Sequence, residues 1–320
     1  MDATLKMPQQ LSLFGEENTL FNTGVQRLLE RDFAGCIKTL QRYRKFFPGG
    51  QDVGHILEVA SFLGRELGKV TWTGIDPVEA ERRYQIWLEF EASFGHPWGS
   101  DSIEDKLQAR YFSMLADGLV EGTHSNIRGT PLGLMYLLAR RPDEAIISLQ
   151  SLIAADPENA RAYGYLGDAY FLRGEVRTAR LCYREAFAMA PLQVDMRRLQ
   201  DRELREKLDE LEEDEELDGD PLEWFPDIAR LDGIFERRVF RDLEDLKHWL
   251  NRYLELLKNH RRREDKTSVP KLFYYAMALS DNAIMMKYIK KVDLPGIRQK
   301  MKDWQPGLFA RYMKVLELKK

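Results

Sequence analysis

Residues 126–193 read NIRGTPLGLMYLLARRPDEAIISLQSLIAADPENARAYGYLGDAYFLRGEVRTARLCYREAFAMAPLQ. Leu132, Gly133, Tyr136, Ala145, Leu149 and Pro157 are matched 34 positions later by Leu166, Gly167, Tyr170, Ala179, Tyr183 and Pro191. Glycine and alanine remove side chains where one helix must approach another. Large residues beside them fill the seam with the 3.6-residue period of a buried helical stripe. Pro157 and Pro191 lack an amide donor and bias the preceding residue away from helix, so each closes one unit.

A period of 34 with L-G-x2-Y, then Ala, an aromatic and Pro resembles the tetratricopeptide repeat (TPR), an antiparallel helix pair that stacks on its neighbours. The second copy also carries Tyr163 in the slot where the family prefers Trp, and Ala186; the first has Gly129 in that aromatic slot. The resemblance covers 68 of the 320 residues. It implies an all-α chain: a TPR-like α-solenoid of antiparallel helix pairs with a C-terminal helical region. By the family's geometry the first helix of each pair lines a concave groove, through Ile127, Thr130, Leu134 and Leu137 in one copy and Arg161, Gly164, Asp168 and Phe171 in the other. Family members that grip a chaperone C-terminus carry Lys and Asn where Gly164 and Asp168 stand. A mixed apolar groove taking a protein or peptide segment is the expectation here.

Residues 1–16 carry no helical period until Phe14 and are expected to form a flexible leader. Inside it stands Gln10-Leu11-Ser12-Leu13-Phe14. All five residues match the pentapeptide by which many bacterial replication and repair proteins dock on the sliding clamp of the replicative polymerase. That resemblance implies a bacterial source, with the Gln in a polar sub-pocket and the second Leu and Phe in an apolar one. A structural alternative stands beside it: Leu11, Leu13 and Phe14 staple the leader onto the first helix.

Residues 17–125 read as degenerate TPR-like repeats. Gly24, Cys36, Leu40 and Pro48 fall in the small, small, large and proline slots of the same frame, with Tyr43 where the family prefers Ala. Helical patterns run over 51–67, 77–94 and 102–120. Asp76-Pro77 followed by Glu79 supplies an N-cap, a first-turn proline and a reciprocal Glu. Thr71-Trp72-Thr73-Gly74 and His96-Pro97-Trp98-Gly99 mark turns.

Beyond Pro191 a long polar helix is expected to cap the array. It keeps an apolar stripe through Val194, Met196, Leu199, Leu204, Leu208 and Leu211, and residues 194–220 as a whole form cap and acidic linker. Nine acids fall within residues 209–220, and negative charge at a helix C-terminus predicts fraying. Residues 221–320 form a basic helical region, patterned near 242–258, 270–280, 282–291 and 306–318. From Lys258 to Lys320 there are 16 Lys/Arg against 6 Asp/Glu.

The five histidines have no ligand spacing to one another or to the two cysteines, Cys36 and Cys182. No phosphate-binding glycine loop and no nucleophile elbow is present. Two distant cysteines fit a reducing compartment, and no apolar run is long enough to span a bilayer. The expectation is therefore a cytoplasmic, non-enzymatic adaptor with no cofactor and no membrane partner. It binds a protein segment in its groove and is tethered through QLSLF. The alternative is a nucleic-acid accessory protein using the basic end, where Lys271-Leu272-Phe273-Tyr274-Tyr275 interleaves charge with aromatics.

Overall fold

The computed structural model describes residues 8–68, 70–95, 102–119, 126–127, 130–212, 217, 219–263, 266–290 and 292–317, with the backbone alone at 8–14, 126–127, 212 and 263. The described residues are all-α apart from one two-residue β pairing and an isolated bridge between Ile75 and Leu119, and they divide into two compact units, Met1–Arg141 and Pro142–Lys320. That division falls inside the first copy of the 34-residue pattern, between its two helices.

The first unit holds α1 (Pro8–Leu29), α2 (Phe33–Phe46), α3 (Gly54–Leu67), α4 (Pro77–Phe94), α5 (Ile103–Asp117), the antiparallel pair β1 (Asn126–Ile127) and β2 (Thr130–Pro131), and α6 (Leu132–Leu138). Helix α1 starts at Pro8, where the sequence predicts an unstructured leader. Proline is tolerated in a first turn, and Gln and Leu are good helix formers. The small slot at Gly24 is real: a Cβ there would come within 2.3 Å of Leu40 Cδ2. Tyr43 fits its slot by reaching out of it. Its hydroxyl donates to Glu17 Oε1 (3.0 Å) and accepts from the Gln51 amide (2.8 Å).

Asp76 caps α4 through the amides of Val78 and Glu79, and Ser102 caps α5 through that of Asp105. The Glu79 carboxylate does not close a reciprocal box; it binds Arg82 and Arg83. Trp87, Phe90, Tyr111 and Phe112 pack as the aromatic centre, with ring centroids 4.7–5.4 Å from Trp87. The turn expected at 96–99 lies outside the described residues.

The second unit holds α7 (Pro142–Ala155), α8 (Ala160–Leu172), α9 (Val176–Met189), α10 (Arg202–Glu212), α11 (Pro221–Leu231), α12 (Leu243–Arg263), α13 (Val269–Asp281), α14 (Ala283–Met286), α15 (Leu294–Trp304) and α16 (Pro306–Glu317). Helices α8 and α9 form a tight hairpin around Gly174 at φ 84°. Gly167 lets the Tyr183 ring lie against α8, and Ala179 and Ala186 are fully buried in α9.

The long helix expected after Pro191 is broken. Residues 191–193 and 196–198 form 3-10 turns, and helix begins only at Arg202, capped by Asp201 through the Glu203 amide at 3.0 Å. Helices α11 and α15 lie outside the helical patterns read from the sequence. The acidic run is described only in part, its residues 213–216 and 218 lying outside. Helix α13 is the centre of the C-terminal bundle, with every residue from Leu272 to Ser280 buried. Its end is fixed by a buried ion pair, Arg230 Nη2 to Asp281 at 2.9 Å.

A Cβ at Gly167 would stand 2.5 Å from Tyr183 Cε1. Gly167→Ala is therefore expected to destabilise the second unit by about 1–3 kcal/mol despite alanine's better helix propensity. Urea unfolding measures this, and a gain in stability would contradict the packing described.

Candidate functional site

The residues expected to line a groove lie in both units, and each set is best taken within its own. In the first, Thr130, Leu134 and Leu137 are buried, and Thr130 Oγ1 donates to Glu81 Oε2 at 3.1 Å. Ile127 has its backbone in β1, and its side chain lies outside the described residues. In the second, Arg161 is exposed, Phe171 is half-buried, and Gly164 and Asp168 are buried.

What covers α8 is the chain's own segment after Pro191. Tyr165 donates its hydroxyl to Asp195 Oδ2 at 3.0 Å, and Val194 Cγ1 lies 3.4 Å from where a Cβ on Gly164 would be. Asp168 Oδ1 accepts from the Tyr183 hydroxyl at 2.5 Å and from the Gln200 amide at 2.9 Å. The segment's far end is held by Arg180 Nε, 2.8 Å from Asp201 Oδ2. Val194 and Leu199 are buried. Of the apolar stripe expected on one helix face, Leu204, Leu208 and Leu211 do fall on α10, while Val194 plugs the flank of α8 at Gly164 and Leu199 is buried outside any helix. Burial drives the Asp168 pKa well above the carboxylate range, and the two donated hydrogen bonds oppose that shift.

Beside this segment, still within the second unit, a pocket of about 380 Å³ opens where α9 ends. Phe187, Pro191, Pro226, Leu256 and Tyr274 make its walls largely apolar, and Glu223 and Lys271 add one charge of each sign. Lys271 Nζ donates to the Met189 carbonyl at 3.1 Å, capping the C-terminal end of α9. Its pKa is lowered, first by burial and then by Arg252. An apolar recess with two opposite charges at its wall suits binding of a small amphipathic group.

The aromatics that could have stacked on bases are core residues: Phe273, Tyr274 and Tyr275 are 0%, 5% and 7% exposed. Arg261 and Arg262 are exposed near the C-terminal end of α12, where cations complement the helix dipole. Among the described residues no group of three or more His, Cys, Asp or Glu is placed to hold a metal ion, and no helix is long and apolar enough to cross a membrane.

Asp227 of α11 is fully buried, and neither of its carboxylate oxygens has a hydrogen-bond partner. Burial alone pushes its pKa well above the usual carboxylate range. It reads as a neutral carboxyl in the core, a group no sequence period distinguishes from the exposed acids around it.

Searches against family models, curated proteins and solved structures find no match for the chain.

A folded-state pKa above the unfolded value near 4 has a definite sign. The Asp227 contribution is fully present below that value and is lost as pH rises toward the folded pKa. Asp227→Asn is expected to be the more stable protein at pH 7, by about 1–3 kcal/mol, with the difference closing toward pH 4. Denaturant midpoints across pH 4–8 check this, and a constant difference across that range would contradict it.

Proposed function

We propose that this protein is a TPR-like helical adaptor without catalytic activity of its own. On this reading it works in the bacterial cytoplasm and docks on the DNA sliding clamp through Gln10, Leu11, Ser12, Leu13 and Phe14 while its helix pairs engage other protein segments. The observation that carries the docking half is the packing of α1. From Gly15 through Thr23 no residue is buried, and among the α1 residues whose side chains are described the first buried position is Gly24. The pentapeptide thus stands on an arm whose neighbouring turns are only partly covered, and short helix ends are marginal in water without an apolar face to bury. Such an arm can present anchors to a pocket on a partner.

The adaptor half is supported by α8. Its flank holds a non-α-helical stretch of the chain's own backbone with one carboxylate, one tyrosine hydroxyl and one glycine-sized recess, which is how such a face would grip a foreign segment. A partner reading that face has to displace residues 194–200. Two modest sites on one chain would then reinforce each other through effective concentration. The rival reading, nucleic-acid contact through the basic end, has less to stand on, because its aromatics are in the core.

Titration of purified bacterial clamp into the intact protein is expected to show binding. Leu13→Ala/Phe14→Ala is expected to weaken it by at least about tenfold, with the helical circular dichroism unchanged. Equal affinity of the two proteins, or none for the intact one, would rule the docking out.

A further inference from the structure

The pocket beside residues 191–193 carries its two charges on rigid supports. Glu223 lies in the first turn of α11 and Lys271 in the first turn of α13. Trp224, next to Glu223, and Phe273, two residues beyond Lys271, are fully buried. Their rings meet edge to face with centroids 5.7 Å apart, which fixes the spacing of the two helices. Both charged side chains line the pocket and both are accessible, Lys271 being exposed and Glu223 half-buried.

The Lys271 ammonium donates to the Met189 carbonyl at 3.1 Å, and among the described residues no carboxylate stands within ion-pair distance of it. Arg252, whose charge acts on it, is itself paired with Glu158 at 3.0 Å. An ammonium has three donors, so two remain for an acceptor from outside. Glu223 supplies the opposite preference. A carboxylate on the wall repels a plain fatty or aromatic acid and attracts an ammonium. Phe187, Pro191, Pro226, Leu256 and Tyr274 give the pocket its apolar lining, and a volume of about 380 Å³ suits a ligand at the small end of the usual range.

We propose that this pocket binds a free α-amino acid with a large apolar side chain, its carboxylate on the Lys271 ammonium, its ammonium on the Glu223 carboxylate and its side chain against Phe187, Pro191 and Leu256. Such a zwitterion meets both wall charges at once, which neither an acid nor an amine does. It also enters the recess without leaving an ion of its own unpaired there.

Calorimetric titration of the full chain with L-phenylalanine, hydrocinnamate and phenethylamine tests this, since the three share a phenyl group and differ in charge. L-Phenylalanine is expected to bind with a Kd of about 1 mM or tighter, and each analogue at least about tenfold more weakly. Lys271→Met is expected to lose the preference for phenylalanine over the amine, and Glu223→Gln the preference over the acid. Helical circular dichroism and Tm show whether each variant is folded. Lys271→Met also gives up the bond to the Met189 carbonyl; should it fail to fold, the near-isosteric Glu223→Gln decides by itself. No binding of L-phenylalanine up to about 10 mM, an analogue that binds as well as phenylalanine, or preferences kept in full by the folded variants would overturn the proposal.

Discussion

The carboxylate of Asp168 ties together three parts of the second unit: α8, which carries it, α9 through the Tyr183 hydroxyl, and the following segment through the Gln200 amide. Gly167 is what makes this possible. Without a side chain next to Asp168, the Tyr183 ring fits against α8 and its hydroxyl donates to the Asp168 carboxyl. The small and aromatic slots of the 34-residue pattern therefore do more than pack a hairpin. They place a buried acceptor where the chain, on leaving α9, finds a partner for the Gln200 amide.

From that contact the rest of the unit follows. The segment 191–201, with its two 3-10 turns, does not run on as α-helix: Val194 packs over Gly164 and the Gln200 amide is committed to the Asp168 carboxyl. Helix resumes at Arg202, where Asp201 caps it and is held in turn by Arg180. Beyond it the bundle centres on α13, whose aromatics and aliphatics meet α11, α12 and α15 on different sides. The first unit is organised differently, around Trp87 and its ring neighbours.

Local chemistry in the sequence was readable wherever it was self-contained. Asp76 and Pro77 mark a helix start because cap and first-turn proline act within four residues, and Gly24 with Leu40 and Gly167 with Tyr183 follow from a fixed offset. The same period misled at Val194, Met196 and Leu199, since a stripe suited to an α-helix face also suits a chain of short turns laid on a neighbour and only the tertiary partner decides between them. Helix α11 was hidden by Pro226 inside it, and α15 by the proline and glycine of its first turn. Of the groove residues, Leu134, Leu137, Arg161, Gly164, Asp168 and Phe171 fall on helices as expected, whereas Ile127 and Thr130 lie in the β1–β2 pair ahead of α6, and the cover over Asp168 was invisible because it comes from beyond the repeat. Glu223 and Lys271 belong to two separate helices, so nothing in their spacing announced that they share a pocket.

The central claim is that the flank of α8 is sealed by the chain itself, with Asp168 as the latch. Hydrogen exchange at the Gln200 amide tests it most directly. A latched amide exchanges as slowly as the buried amides of α8, and Asp168→Ala brings it to the rate of an open loop. Fast exchange of Gln200 in the unaltered protein would mean that residues 194–200 leave the flank uncovered, and the account of this unit would fail.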